Sequence, residues 1–265
     1  MGEAPPFEDR KQAMNDTSAM AHKVSLSSFL ACNPFPAPFT DGLFFRDKMR
    51  AIHRMAPASV TGSILEVGGG QSGLTKMLYP HAQVTVLDAD PRFADAPANQ
   101  RSGVRFVAGD ATDLPFADGS FALVTMFDLL EHVENDGAVA REALRVLAPG
   151  GRVLLTTPHR ERWRFPYHAA FGPVSPPEEE LFAEWGHVRR GYTEQDLDRL
   201  FDARRVSTGG FINGLLAVSH DIAFSRLKRP VRLALHAIFA PLSAAGYYLN
   251  RNNSEGTELA VAYQR

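Results

Sequence analysis

The sequence is short of several things, and each shortage removes a class of function. It has one cysteine in 265 residues, Cys32. No internal disulfide can form from one thiol, which fits a reducing compartment. No apolar run reaches 18 uninterrupted residues, so no spanning helix is expected. The formal net charge is −2, without the basic excess of a protein that tracks a nucleic-acid backbone, so no nucleic-acid partner is expected. The opening "MGEAPPFEDRKQ" lacks the apolar core of a secretory signal, and Pro6 stands where a myristoylation signal wants Ser or Thr. These readings point to a cytoplasmic protein. No internal repeat is visible.

What is present is a globular composition, 45% apolar and 22% charged, long enough to bury a substantial core. Residues 1–24 are polar, Pro-containing and aperiodic and read as a mobile tail. Residues 25–265 read as a single domain. "FTDGLFFRDKMRAIHRM" places Leu43, Phe44, Met49, Ile52 and Met55 at near-helical spacing. Strand and helix then alternate through "SILEV", "SGLTKMLYP", "QVTVLDAD", "VRFVAG", "FALVTMF", "AVAREALRVL" and "RVLLTTP", with Gly150 and Gly151 read as a helix stop. Such alternation argues an α/β fold with a parallel sheet and helices on both faces. Its ligand crevice lies at the carboxyl ends of the strands. After Pro158 the rhythm breaks into an aperiodic insert, 159–191. Thr193 then caps a helix, "TEQDLDRLF", and the strands "RRVSTGGF" and "TELAVAYQ" flank an apolar helical arm, 214–250, expected to break at Pro230 and Pro241.

The stretch "LEVGGGQSG" contains G-x-G-x-x-G at Gly68, Gly70 and Gly73, with Asp88 twenty positions after the first glycine. By that fingerprint it is a dinucleotide site. Glu66, two residues before Gly68, speaks against a pyrophosphate. Two like charges at about 4 Å repel by roughly 4 kcal/mol at an effective dielectric near 20. A cofactor bearing an ammonium and a sulfonium would welcome the same carboxylate. Asp88 and Asp110 end apolar strands at the crevice, where an unpartnered carboxylate is costly, so both read as ligand groups. Asp90 reads as a helix cap.

Together with "VTVLDAD", "VAGDATDLPFADGSFALV", "LLEHV" and "ALRVLAPGGRVLLTTP", the glycine stretch resembles the motifs of class I S-adenosylmethionine-dependent methyltransferases, in their order from about residue 62 to 158. The resemblance implies a Rossmann-like, seven-stranded, mostly parallel sheet whose last strand is antiparallel. It also implies S-adenosylmethionine as cofactor, held by Glu66, Gly68, Gly70, Asp88, Asp110 and the Ala111 backbone, with Asp128 lining the same pocket. Gly73 follows an extra residue, Ser72, compared with the commonest form of the first motif.

In "FDLLEHV", Asp128, Glu131 and His132 fall at i, i+3 and i+4, one face of a helix. The set resembles the E-x-x-E-H arrangement of metal-dependent O-methyltransferases of ubiquinone biosynthesis, with Asp replacing the first Glu. A divalent ion there would polarise an acceptor oxygen. "LEHV" also serves local contacts in metal-free members of the class, and the balance falls against the ion. His132 and His187 are the candidate catalytic histidines. The insert further offers His159, Tyr167, His168, Arg189, Arg190 and Tyr192. Arg189 and Arg190 are placed to hold an anionic substrate or to pair with "PPEEE".

The arm carries apolar bulk and a basic knot, Arg226, Lys228, Arg229 and Arg232. It fits peripheral membrane contact with a lipid-like substrate, a substrate cap or homodimer surface, or extra helices packed on the sheet. The resulting expectation is a methyltransferase of a small-molecule acceptor, with oxygen as the methylated atom. Its rivals are an NAD-dependent oxidoreductase and a non-catalytic methyltransferase-like partner subunit.

Overall fold

Ile64–Val67 (β3) is buried at all four positions, as a strand covered on both faces must be, and it forms the middle of a seven-stranded sheet. The computed structural model describes residues 20–35, 41–162, 174–250 and 255–265. Around β3 the chain runs β4 (Val84–Asp88) and β5 (Val104–Ala108) to one side, then returns for β6 (Phe121–Phe127) and β7 (Leu147–Pro158) on the other. These five strands are parallel. β8 (Arg204–Phe211) and β9 (Glu258–Gln264) complete the order β5-β4-β3-β6-β7-β9-β8, with β9 antiparallel to both neighbours. The direction of winding reverses between β3 and β6, so the crevice at their carboxyl ends is the switch point where ligands bind in such sheets.

The helices cover both faces. One apolar cluster joins α1 (Leu26–Ala31), α2 (Asp41–Met55) and the Leu216–Ala217 segment to one face. The other joins Val139, Ala140, Ala143 and Val146 of α4 (Asp136–Val146) to Leu65, Val124 and Val153. α3 (Leu74–Leu78) follows the glycine loop, and α5 (Glu178–Trp185) and α6 (Glu194–Leu200) follow β7. Thr193 caps α6 in a reciprocal capping box with Asp196, as its sequence position suggests.

Three local features differ from the sequence reading. Met20–His22 (β1) pairs antiparallel with Ser59–Thr61 (β2), so the last part of the stretch read as tail is structured; residues 1–19 lie outside the described residues. β7 starts directly after α4, and the Gly150–Gly151 pair sits where its register against β6 shifts, between the pairs Phe121–Leu147 and Leu123–Arg152. The arm forms two helices, α7 (Gly214–Phe224) and α8 (Arg229–Leu249), and Pro241 lies inside α8 without ending it. The carbonyl that a proline leaves without its amide partner is four residues back. Here that residue is Ala237, on the exposed face.

Candidate functional site

The glycine loop leaves β3 with Gly68 at φ +68° and Gly70 at φ +50°, a left-handed path open to glycine. A Cβ on Gly68 would lie 2.6 Å from Leu129 Cδ1, so the loop packs directly on the exit of β6. Asp88, at the end of β4, tethers this loop: its Oδ2 accepts from the Gly70 amide at 2.9 Å and its Oδ1 from the Asp90 amide at 3.0 Å. Asp90 caps the short turn Pro91–Asp95. Asp110, exposed beyond β5, accepts from the Thr112 amide at 2.8 Å, which holds its carboxyl below the usual range. Ala111 is half-buried against the second apolar cluster.

Beneath the loop lies Glu66, 1% exposed. Ser72 Oγ donates to its Oε1 at 3.2 Å, while Oε2 has no partner among the described residues. Burial pushes this carboxyl up to about 7, against hydrogen bonds from Thr75 and Ser72 that pull it down. A buried, unsatisfied carboxylate oxygen calls for a donor. Beside a glycine loop that suits a ligand bearing an ammonium and opposes a pyrophosphate, and the ammonium of S-adenosylmethionine fits it.

On the far side of β6 opens a cavity of about 460 Å³. Its walls are Phe35, Phe44 and Phe45 from the N-terminal segment, Phe211 and Ile212 from the end of β8, and Trp185 and Phe224 from α5 and α7. Its polar groups are Asp128, Glu131 and His132 after β6, Glu258 on β9, His187 and His220, and one lysine, Lys48 of α2. Asp128 takes φ +51° and Ile212 φ +57°, a rare conformation for any side chain and costly for a β-branched one. The Ile212 turn is fixed by Asp47, 1% exposed, whose Oδ2 accepts from the Ile212 amide at 2.8 Å.

Two threonines near the end of β7 hold the acids. Thr156 donates to Asp128 Oδ1 at 2.6 Å, and Thr157 to Glu131 Oε2 at 3.1 Å. Burial pushes the Asp128 carboxyl up, but the ion pair with Lys48 and the Thr156 hydroxyl outweigh it and leave the group below the ordinary carboxylate range. Glu131 is fully buried with Oε1 unpartnered among the described residues. Burial and the nearby Asp128 charge raise it well above that range. Glu258 is raised too, by burial and by Asp128 and Glu131.

The motif Asp128–Glu131–His132 does not share a helix face. Leu130–His132 is a single 3-10 turn, and Asp128 faces Lys48 and Thr156 instead. The trio that comes together is Glu131, His132 and His187, with ligand atoms within 4.8 Å of one another. The imidazoles of His132 and His187 meet edge to face at 4.6 Å. Gly186 ends α5 in a left-handed turn and its carbonyl lies 3.2 Å from His132 Nδ1. Burial, then the adjoining His132, lowers His187 to about 4, so it is neutral at physiological pH.

The remaining insert residues point elsewhere. Arg189 pairs with Asp136 at 2.7 Å and bonds the carbonyls of Leu130 and Glu134. Arg190 pairs with Glu178 at 2.5 Å, inside "PPEEE". Tyr192 is buried with its hydroxyl on Asp136. His159 is buried, its Nδ1 accepting from the amides of Glu161 and Arg162 and its Nε2 3.4 Å from Glu194. Tyr167 and His168 lie outside the described residues. Sequence reasoning missed Lys48, Glu258, His220 and the aromatic walls. Lys48 and Asp128 are 80 residues apart, and no local spacing announces such a pair.

Residues 65–155 match the family described as methyltransferase domain. A ubiquinone/menaquinone biosynthesis C-methyltransferase of Desulfotalea psychrophila is 34% identical over 119 residues, 40% of this chain and 46% of that protein. A phthiotriol/phenolphthiotriol dimycocerosates methyltransferase of Mycobacterium ulcerans is 36% identical over 119 residues, 42% of this chain and 44% of that protein. The chain thus spans less than half the length of the curated relatives it matches. Among solved structures, the N-methyltransferase NodS of Bradyrhizobium japonicum, bound to S-adenosyl-l-homocysteine, superposes with a TM-score of 0.53 at 18% identity, covering 91% of this chain and 96% of that one.

Proposed function

We propose, from the class I S-adenosylmethionine-dependent methyltransferase fold and domain that this chain carries, that it transfers a methyl group from S-adenosylmethionine to a hydroxyl of a small, largely apolar, ring-bearing acceptor. The observation that carries the proposal is the juxtaposition at the exit of β6: Leu129 lies against the glycine loop above buried Glu66, whose Oε2 has no partner among the described residues, and the adjoining Asp128 lines an aromatic-walled cavity with acids and imidazoles among its lining groups.

In this reading Glu66 holds the ammonium of the methyl donor, Asp88 its ribose and the Asp110–Ala111 segment its adenine. When bound, S-adenosylmethionine supplies an electrophilic methyl group on a sulfonium; the chain's task is alignment and removal of the acceptor's proton. The aromatic walls seat the acceptor's apolar body. In its ionised form Glu131, whose Oε1 has no partner among the described residues, accepts the hydroxyl proton, with His132 and neutral His187 orienting the oxygen. Glu131, His132 and His187 are also a donor set for a divalent ion, which would polarise the same oxygen. Two relatives supply an analogy for apolar acceptors, since one is named for ubiquinone/menaquinone biosynthesis and the other for phthiotriol/phenolphthiotriol dimycocerosates.

The test is transfer of a labelled methyl group from S-adenosylmethionine to a panel of phenols and hydroquinones with and without apolar tails, each with magnesium and with a chelator. Mass analysis then assigns label to oxygen or to ring carbon. Label on carbon overturns the oxygen assignment, and label on polar amines alone overturns the acceptor class.

A further inference from the structure

α8 is built inside out. Its inward face carries His236, Ser243, Gly246 and Tyr247, all buried. His236 meets Ser219 of α7 at 3.3 Å, and a Cβ on Gly246 would stand 2.6 Å from the Leu216 amide, so the two helices touch through small and polar groups. The outward face is apolar. Val231, Leu233, Ile238, Tyr248 and Leu249 are 44 to 76% exposed, with Ala234, Ala237 and Pro241 exposed among them. From Leu233 to Leu249 there is no Asp, Glu, Lys or Arg. A helix packed on a globular protein normally shows the reverse arrangement, and an apolar face of this extent marks a contact surface.

We propose that α8 and the basic turn before it dock this protein on an anionic lipid bilayer, with the helix lying in the headgroup plane. Charge selects the occupant. Arg226, Lys228, Arg229 and Arg232 fall within seven residues of a chain whose net charge is −2. Arg226 pairs with Glu180, and Arg232 donates to the Ala223 carbonyl. Lys228 and Arg229 are exposed with no ion pair among the described residues. Basic groups flanking an apolar face are what an anionic headgroup layer attracts. A second copy is the poorer match. In a two-fold antiparallel pairing of α8, the basic turn would meet the partner's far end, and α8 carries no carboxylate to answer it. Lying flat is the geometry required, since no helix among the described residues is long and apolar enough to cross a membrane. At 21 residues α8 would extend about 31 Å along the surface. Phe224, two residues before Arg226, lines the cavity, so docking would bring the cavity's α7 side toward the lipid. The inference stands whether or not the proposed chemistry does.

The experiment is co-sedimentation of the full chain with phosphatidylcholine vesicles, with and without phosphatidylglycerol, at low and high salt. Lys228→Glu with Arg229→Glu, and separately Ile238→Asp, are tested beside it, with melting temperature as fold control. The wild type should pellet with anionic vesicles and be released by salt. The double variant should bind at least about 30-fold more weakly, and Ile238→Asp more than about tenfold. A wild type that stays in the supernatant overturns the proposal, whether it is a monomer or a dimer that Ile238→Asp splits in sedimentation velocity. So does vesicle binding that both variants retain.

Discussion

Glu66→Gln tests the cofactor assignment through a proton. Burial raises this carboxyl from 4.5 to about 7, so below pH 7 the folded, ligand-free protein favours the protonated form. Its sign follows: ionised Glu66 costs nothing below about pH 4.5, the cost grows as pH rises towards 7, and it levels off above. A shift of that size corresponds to about 3 kcal/mol. An ammonium about 4 Å away contributes roughly 4 kcal/mol at an effective dielectric near 20, enough to offset it. Binding of S-adenosylmethionine is then coupled to loss of a proton, about 0.9 per site at pH 6 and about 0.2 at pH 7.5. The dissociation constant should fall by nearly tenfold per pH unit on the acid side of 7 and flatten above it. Glu66→Gln should remove the pH dependence, weaken binding about 100-fold at pH 7.5, and stabilise the ligand-free protein there by up to about 3 kcal/mol. The assay is calorimetric titration from pH 5.5 to 7.5 in two buffers of different ionisation enthalpy. A flat wild-type profile, no proton release at pH 6 and unaltered binding by the variant would together refute the reasoning.

Three other outcomes follow from the site. Asp88→Ala should weaken S-adenosylmethionine binding tenfold or more while the protein still melts cooperatively, because its carboxylate at the end of β4 tethers the Gly70 amide of the glycine loop; unchanged affinity by titration removes it from the site. Glu131→Gln should lower kcat by about 100-fold or more with cofactor affinity within twofold, and a loss confined to cofactor affinity would contradict its role in the acceptor cavity. Asp47→Ala should destabilise the fold by about 3 kcal/mol in denaturant titration, since it strips partners from half-buried Arg50, the Ile212 amide and Asn250; a change under 1 kcal/mol would mean that the α2–β8 corner is held by packing alone.

Legibility followed range. From residue 64 to 158 each strand is a short apolar run and each turn has its own punctuation, so the alternation of strand and helix, the parallel sheet and the crevice at its strand ends could be read directly. Glu66 was readable for the same reason: its meaning depends on Gly68 and Gly70, four residues away at most. Asp128, Glu131 and His132 show the limit. Their spacing fits a helix, but Asp128 takes a left-handed turn at the end of β6 and the helix shrinks to one 3-10 turn. His187 joins the trio from 55 residues on, delivered by a left-handed glycine that ends α5. Lys48 and Glu258 come from opposite ends of the chain. Pro241 misled because a helix can carry a proline where the freed carbonyl reaches water, and that of Ala237 lies on the exposed side of α8.

The measurement nearest the central claim is calorimetric titration of cofactor-stripped protein with S-adenosylmethionine and, separately, with NAD. Micromolar binding of S-adenosylmethionine and none of NAD is the result predicted, because Glu66 Oε2 lies buried beneath the glycine loop with no partner among the described residues. Binding of NAD alone would contradict it, and the G-x-G-x-x-G with Asp88 would then stand as the dinucleotide fingerprint it also spells.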